Sequence, residues 1–195
     1  MFAGLGIVKE VEGNPETIGD TVPVDLVVGN IIVATAFNAL NKKLSIYNVG
    51  SSDRNPITWA TASRILNDFW SRNISQSQVS KPNVIVTTSK LKIKYYQYKR
   101  LIPTFIYGKV SPFLGNHHVK NVNRLMKAEE RANEIKRLFH FFVSGNWIYE
   151  CRKVKELINW LSEGERESYL LDAADYDAEY FIILNNYGIQ KYILK

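Results

Sequence analysis

The sequence predicts an α/β segment followed by a small all-α domain, and three observations support this fold class. First, Val24–Val33 is apolar on nearly every face, which is typical of a buried helix. Second, Leu44–Val49 is a short run of β-forming residues, and the helical pattern after Asn55 repeats apolar residues every three or four positions. Third, the periodicity after residue 120 is helical. We therefore divide the chain into residues 1–72, a connecting segment 73–119 and a helical domain 120–195.

Local signals accompany these elements. Thr21 and Pro23 stand where a helix cap and first turn are expected, and Asp25 suits the positive end of the helix dipole. The run Gly50–Asp53 is predicted to turn the chain, and Asn55–Pro56 to cap and open the next helix. The predicted order is therefore helix, strand, turn and helix.

The connecting segment is the least regular part of the chain. Val84–Thr88 is a candidate strand. We expect no single long helix after it, because helix-breaking residues recur there: Pro103, Gly108, Pro112 and Gly115.

Charge is distributed unevenly along the chain. The formal net charge is +6, yet no acidic residue occurs between Asp68 and Glu129. Such segregation indicates an interaction surface. The candidate partner-binding residues are cations and aromatics in the middle of this interval: Lys90, Lys92, Lys94, Tyr95, Tyr96, Lys99, Arg100 and Tyr107.

Three readings of that basic interval remain: an acidic protein partner, an anionic membrane partner, or a solvated loop without a partner. We favour an acidic protein surface within a larger assembly, because the interleaved aromatics are good interface anchors and should become buried there. An anionic membrane surface is the second reading, since aromatics suit the headgroup boundary. A solvated loop is the third. Nucleic acid is not expected as a partner, because no nucleic-acid-binding signature accompanies the charge.

The last part of the chain carries helical signals only. An apolar stripe from Val122 to Phe142 is expected to end near Gly145. Val154–Leu161 forms a shorter stripe, and Tyr180–Tyr187 marks a final helix. A capping box is predicted where Ser162 is followed three residues later by Glu165.

Residues that could carry chemistry are few. Gly4–Gly6 lacks the third glycine of a dinucleotide-binding turn, because Lys9 occupies that position. We interpret His117–His118 as surface histidines and Cys151 as an unreactive, partly buried thiol. Tyr-x-x-x-Lys occurs three times, at Tyr95/Lys99, Tyr149/Lys153 and Tyr187/Lys191. We interpret these pairs as coincidence, and we predict no catalytic, cofactor-binding or metal-binding residue.

Two groups of motifs resemble one known family. PVDLVV from Pro23 and YNVGSSDRNPITW from Tyr47 are similar to the end of the reductase domain in alcohol-forming fatty acyl-CoA reductases, which are extended short-chain dehydrogenases. FFVSGNWIYE from Phe141 and the stretch after Leu157 resemble their C-terminal male sterility domain. These residues fall on its pattern: Trp147, Asp172, Tyr180, Gly188, Lys191, Tyr192 and Leu194. Tyr176 and Gln190 depart from it, since the family often has Trp and Arg there.

The resemblance implies a fold and assigns the predicted domains. Residues 1–72 would be the end of an extended Rossmann-type reductase domain, and 120–195 the helical male sterility domain. Val27, Val28, Ile31 and Ile32 would be exposed in the absence of the other strands of that sheet. In the family the connecting interval is strongly apolar and membrane-associating, whereas here it is cationic and aromatic.

The resemblance also implies where the chemistry resides. The family binds NADPH and reduces its substrate through motifs that precede the PVD helix, and we expect this chain to begin after them. It should therefore hold no cofactor and show no activity alone. One hypothesis is a non-catalytic structural subunit of a larger complex; the alternative is the C-terminal half of a two-polypeptide NADPH-dependent reductase. The single cysteine favours an intracellular location, with a mitochondrion or another organelle left open.

Overall fold

The computed structural model describes residues 1–41 and 44–194. Three residues of the predicted ranges 1–72 and 120–195 lie outside the described residues: Lys42, Lys43 and Lys195. The described chain is mostly helical. Its elements are β1 (Glu10–Glu12), α1 (Val24–Asn41), α2 (Trp59–Arg72), β2 (Ile85–Thr87), α3 (Lys90–Leu114), α4 (Asn116–Ser144), α5 (Arg152–Trp160), α6 (Glu163–Ser168) and α7 (Ala178–Gly188). A 3₁₀ turn at Ala173–Asp175 precedes α7, and a π-helical turn at Ile189–Ile193 follows it.

One hydrophobic core lies under the hairpin formed by α3 and α4. The two strands pair in parallel, with Glu10 opposite Ile85. The N-terminal turn brings Leu5, Ile7 and Val8 against Ala132 of α4. This core anchors the inner faces of the long hairpin helices.

A second core lies where α1 meets the C-terminal part of the chain. Val33 of α1 packs with Leu157, Leu161 and Leu171. The amide of Asn30, which is 2% exposed, donates to Leu26 O at 2.8 Å and to Leu171 O at 2.9 Å. The inner face of α1 is therefore fixed against the male sterility-like residues.

Helices α2 and α7 connect the two cores. Trp70 of α2 is fully buried, and its Nε1 donates to Asn186 Oδ1 at 2.7 Å. Gly4 packs directly on the Trp70 ring, where a Cβ would clash. The N-terminal turn, α2 and α7 thus meet at one tryptophan.

Several sequence predictions hold in this fold. Strand β2 lies inside Val84–Thr88, and α4 ends at Ser144, one residue before Gly145. The capping box of α6 is present, because Ser162 N donates to Glu165 Oε2 at 2.9 Å and the Ser162 side chain accepts from the backbone of Glu165. The local signals for the end of α4, for β2 and for the capping box of α6 were therefore reliable.

The beginnings of two helices were predicted incorrectly. Helix α1 begins at Val24, so Pro23 lies just outside it. Helix α2 begins at Trp59 and is capped by Thr58, whose hydroxyl accepts from Thr61 N at 3.2 Å. Asn55 does not cap α2, because its side-chain amide instead bonds to carbonyls of the C-terminal part.

The predicted strand at Leu44–Val49 is wrong for the described chain. The segment is in neither a helix nor a strand, and no backbone hydrogen bond joins it to a described strand. Leu44 is 101% exposed and Ile46 is 76% exposed. An extended segment becomes a strand only when a neighbour pairs with it.

The prediction that α1 is buried is also wrong, whereas the exposed apolar patch on it is confirmed. Val28, Ile31 and Ile32 are 47%, 59% and 49% exposed, while Val27 is half-buried. Only the side of α1 that carries Leu26 and Val33 is buried. The sequence of α1 is therefore apolar on more sides than the described chain buries.

The expectation that prolines divide the connecting segment is wrong as well. Helix α3 runs unbroken through Pro103 and Pro112. Pro112 lacks the N–H that would bond to Gly108 O, and the Ser111 hydroxyl donates to that carbonyl at 3.0 Å instead. Packing against α4 and this substitute bond keep the helix continuous.

Candidate functional site

Segment 44–49 contacts α1 through Tyr47, and we call this segment together with the exposed α1 residues Val28, Ile31 and Ile32 the open edge. Exposure alternates along the segment: Leu44, Ile46 and Asn48 point to solvent, and the residues between them are half-buried. Tyr47 packs on the Val33 core, and its hydroxyl lies 3.4 Å from Asn38 Oδ1. The segment therefore has the side-chain alternation of a strand without a paired neighbour.

The turn after this segment ties the N-terminal and C-terminal parts together. The Asp20 carboxylate accepts from Ser51 N and from Ser52 Oγ, both at 2.8 Å. Arg54 pairs with Asp172 through two hydrogen bonds, at 2.9 and 2.5 Å. The pKa of Asp172 is lowered because the hydrogen bond from Arg54 outweighs the effect of burial.

The same turn is also bonded to the 149–151 and 173–176 segments. Ser52 Oγ accepts from Tyr149 N at 2.8 Å, and Asn55 Nδ2 donates to Ala173 O at 3.0 Å and Tyr176 O at 2.8 Å. The NPITW-like motif is thus the joint between the reductase-like end and the male sterility-like part.

A buried ionic cluster holds the α3–α4 hairpin on β1. Glu10 is 1% exposed and accepts from Arg100 Nη1 and Nη2 at 2.8 and 2.9 Å and from Lys136 Nζ at 3.0 Å. Arg100 also donates to Glu129, at 2.7 and 2.8 Å. Burial alone would raise the pKa of Glu10, but the bonds and charges of Arg100 and Lys136 leave it below its usual value.

A cleft of about 620 Å³ opens beside this cluster, between α3, α4 and the N-terminal segment. Its apolar wall is formed by Ile7, Val79, Leu101, Leu125 and Met126. The polar groups at the cleft include Lys9, Lys99, Arg100, Glu129 and Asn133. Its size is within the range of small-ligand sites.

The predicted partner-binding residues do not share one environment. Five of them are exposed on α3: Lys90, Lys92, Lys94, Tyr95 and Lys99. Tyr96 and Arg100 line the cleft, and Arg100 is engaged in the ionic cluster. Tyr107 is half-buried, with its hydroxyl 2.5 Å from His118 Nδ1. Of the three tyrosines proposed as anchors, Tyr95 alone is exposed.

The residues that could carry chemistry make structural contacts in this fold. In two Tyr-x-x-x-Lys pairs the ammonium stacks near the ring: Lys99 Nζ is 5.7 Å from the Tyr95 centroid, and Lys191 Nζ is 5.5 Å from that of Tyr187. Burial raises the pKa of the Cys151 thiol to about 11, which makes it a poor nucleophile. The described residues contain no cluster of three or more metal-ligating side chains.

The fit of a dinucleotide to the Gly4–Gly6 turn can be tested from its packing. The Trp70 ring fills the space over Gly4, and Ser80 lies against Gly6, whose φ is +73°. Ser80 Oγ donates to Gly6 O at 2.8 Å. The turn precedes β1 instead of following a strand, so the residues present do not fit a phosphate-binding turn.

Sequence reasoning did not identify Glu10, Glu129 and Lys136 as members of a site. Their partners are distant in sequence, and only contact in the fold brings them together. A signal was nevertheless present, because Glu10 stands beside Lys9 between the apolar residues Ile7, Val8 and Val11. A carboxylate in such a run is either exposed or paired.

Comparisons with known proteins agree with the motifs. A family profile described as male sterility protein matches residues 99–195. Across the whole chain the sequence is 26% identical to fatty acyl-CoA reductase 1 of Homo sapiens and covers 37% of that protein. It is 22% identical to fatty acyl-CoA reductase 2 of Homo sapiens, covering 38% of it. Over 98% of its length it is 26% identical to fatty acyl-CoA reductase 8 of Arabidopsis thaliana, covering 41%.

The matches over the whole chain and the male sterility profile over residues 99–195 point to the same family. The chain belongs to the fatty acyl-CoA reductase family and matches the C-terminal portion of its members. It spans about two-fifths of the length of these curated relatives. The resemblance seen in the sequence is thereby confirmed.

Proposed function

We propose that this chain is the C-terminal portion of a working alcohol-forming fatty acyl-CoA reductase. In this proposal the open edge completes the sheet of a nucleotide-binding part, which lies either in the same polypeptide or in a separate one. The observation that carries the proposal is the alternating exposure of segment 44–49, which has no backbone pairing in the described chain, together with the exposed apolar residues Val28, Ile31 and Ile32 of α1. Membership of the fatty acyl-CoA reductase family supports the class of reaction.

The geometry of the edge favours a β-sheet as its partner. An extended backbone with alternating exposure can add to a sheet through its free N–H and C=O groups. On α1, Val28, Ile31 and Ile32 present an exposed apolar helix face of the kind that covers a parallel sheet. Pairing of the segment and burial of this face would occur together.

The division of labour follows from this arrangement. NADPH and the catalytic Tyr-Lys pair would be supplied by the nucleotide-binding part. This chain would supply the sheet-completing segment, the covering helix and the rigid joint at Arg54 and Asp172. Without the partner we expect neither saturable NADPH binding nor acyl-CoA-dependent NADPH oxidation.

The test compares two proline substitutions in proteins purified from the native cells. Ile46→Pro places a proline in the unpaired segment, and Ile74→Pro places one in a loop residue of similar exposure, 80% against 76%. Proline removes one donor from a strand pairing, which is worth about 1 kcal/mol, or about fivefold in association. We expect Ile46→Pro to lower acyl-CoA-dependent NADPH oxidation by at least that factor, with Ile74→Pro unchanged.

The same purification separates the two functional hypotheses. Recovery of a glycine-rich nucleotide-binding part together with turnover supports the reductase. A stable complex that contains the chain, lacks such a part and shows no turnover would support the non-catalytic assembly subunit and refute the proposal. Equal activity of the two proline variants would refute the role of segment 44–49.

A further inference from the structure

An exposed group of aromatic side chains lies at the end of helix α4. The Phe141 ring contacts the Phe142 ring edge-on, and its centroid is 4.7 Å from that of Trp147. With Phe139, which contacts Phe142, and Ile148, which follows Trp147, these residues form what we call the aromatic cluster. All five are exposed, from 37% at Trp147 to 60% at Phe141. Aromatic residues grouped on a surface in this way indicate an interaction site.

The aromatic cluster is held outside by the packing of its own helix. Val143 is buried against Gly13, where an added Cβ would clash with it. The Thr17 hydroxyl donates to Val143 O at 3.4 Å. Trp147 Nε1 donates to Phe141 O at 3.2 Å, which fixes the indole against the end of α4. The rings are therefore preorganised on the surface, so a partner would lose little side-chain entropy on binding them.

The residues that follow the aromatic cluster lie beside segment 44–49. Asn48 Nδ2 donates to Glu150 O at 3.4 Å. Tyr149 lies against Gly50, where an added Cβ would come within 3.2 Å of the Tyr149 Cβ. Asn48, Tyr149 and Glu150 are all exposed. The aromatic cluster and the open edge are therefore connected through exposed residues into one surface.

The position of the aromatic cluster determines which part of a partner it can meet. Asn48 is near the carboxyl end of segment 44–49, so the cluster lies at that end too. In a parallel sheet the carboxyl ends of all strands lie on the same side, and the loops that follow the strands surround a crevice there. A sheet that pairs with segment 44–49 in parallel would therefore bring these loops over the aromatic cluster.

A protein fits this surface better than lipid does. The backbone groups of segment 44–49, which no described strand pairs, require donors and acceptors, and hydrocarbon supplies none. Among the described residues, α1 is the one helix with the length and apolar composition of a membrane span, and the aromatic cluster lies outside it. The chain spans about two-fifths of the length of its curated relatives, so the remaining length is sufficient to cover both surfaces.

We propose that the aromatic cluster is a second docking surface for the nucleotide-binding part, in contact with the loops at the carboxyl ends of its strands. This inference rests on the proposed function, because the same partner completes its sheet at segment 44–49. A strand edge alone can pair in shifted registers, and a rigid aromatic contact at its end selects one of them. The cluster thus positions the partner that the open edge binds.

The test is hydroxyl-radical footprinting of the protein purified from the native cells. Mass spectrometry gives the oxidation rate of each side chain, which is corrected for the intrinsic reactivity of that residue type. Phe141 and Phe142, which are 60% and 51% exposed, are compared with Tyr180 and Tyr187 of α7, which are 57% and 50% exposed. We expect the phenylalanines to be oxidised at least about fivefold more slowly than the tyrosines, because docking removes them from solvent.

A substitution tests the same contact through activity. Ile148→Glu places a carboxylate in the docking surface, and Ile193→Glu is the matched control, at 63% exposure against 59%. A carboxylate that is buried without a partner charge opposes docking. We expect Ile148→Glu to lower acyl-CoA-dependent NADPH oxidation by at least about tenfold, with Ile193→Glu unchanged. Circular dichroism confirms that both variants remain folded.

Four outcomes would overturn the inference. If the nucleotide-binding part is recovered with turnover and the phenylalanines react as fast as the α7 tyrosines, the inference fails and the proposed function stands. Equal turnover of the two glutamate variants has the same meaning. If no nucleotide-binding part and no turnover are recovered, both fail. Protection that disappears on dilution of a dimer would identify a second copy as the occupant, and protection that disappears when detergent removes membranes would identify lipid.

Discussion

Removal of the Glu10 carboxylate should be among the most damaging single changes in this chain. Glu10→Ala leaves Lys136, whose side chain is 17% exposed, without its partner, while Arg100 keeps Glu129. Breaking a buried ion pair costs about 3 to 5 kcal/mol, and we expect about 3 because Arg100 remains paired. With a typical denaturant slope, the urea midpoint followed by circular dichroism should fall by about 1–2 M.

The control is an exposed ion pair of the same chemistry. Glu179 pairs with Arg64 at 3.3 Å, and both side chains are more than half exposed. Glu179→Ala should therefore cost less than about 1 kcal/mol. If Glu10→Ala and Glu179→Ala shift the midpoint equally, the ionic cluster does not stabilise the hairpin and our reasoning is wrong.

The pH dependence provides a second check on the same carboxylate. The pKa of Glu10 is lower in the folded chain than in the unfolded one, so its contribution is present above the unfolded value. That contribution is lost as the pH falls through the folded pKa. The stability difference between wild type and Glu10→Gln should therefore shrink as the solution becomes more acidic than the usual pKa of glutamate, about 4.3. A difference that stays constant there would contradict the assignment.

Two further predictions concern the joint after segment 44–49. Asn55→Ala removes the amide that donates to Ala173 O and Tyr176 O, so it should cost about 1–3 kcal/mol in urea unfolding. Asn121→Ala removes an exposed hydrogen bond to His117 one turn away, so it should change stability by less than about 0.5 kcal/mol. Because burial raises the pKa of the Cys151 thiol to about 11, iodoacetamide at neutral pH should modify the folded chain at least about tenfold more slowly than the urea-unfolded chain; equal rates would contradict that burial.

Elements with strong local signals were predictable from the sequence. The capping box at Ser162, the end of α4 before Gly145 and the strand near Ile85 each depend on neighbours within a few residues. Capping and periodicity encode such features directly. The family assignment also rested on short contiguous motifs, and the profile over residues 99–195 confirms it.

Features that depend on distant contacts were not predictable in the same way. The continuity of α3 through Pro112 depends on the Ser111 hydroxyl and on packing against α4, neither of which a proline count reveals. The role of Asn55 depends on carbonyls more than a hundred residues later. In both cases tertiary contacts outweighed local propensity.

The candidate partner-binding residues show the same difference between local signals and tertiary contacts. Charge segregation directed attention to residues 81–127, a site that stays a prediction, but it could not separate the inner face of α3 from the outer one. Arg100 and Tyr107 belong to the inner face and Tyr95 to the outer one, because helical phase decides which side each residue occupies. The fold class and domain boundaries remain predictions.

The exposed face of α1 shows how a misjudged element can still be informative. An all-round apolar helix was expected to be buried, and Val28, Ile31 and Ile32 are 47%, 59% and 49% exposed in the described chain. Exposed valine and isoleucine side chains do not gain the favourable free energy of burial, which is about 25 cal/mol per Å² of apolar surface. The neighbouring segment 44–49 has unpaired backbone groups and outward-facing Leu44 and Ile46. A single sheet edge could satisfy both deficits at once, whereas a purely helical partner would leave the backbone groups unpaired, so a β-sheet is the partner that we favour.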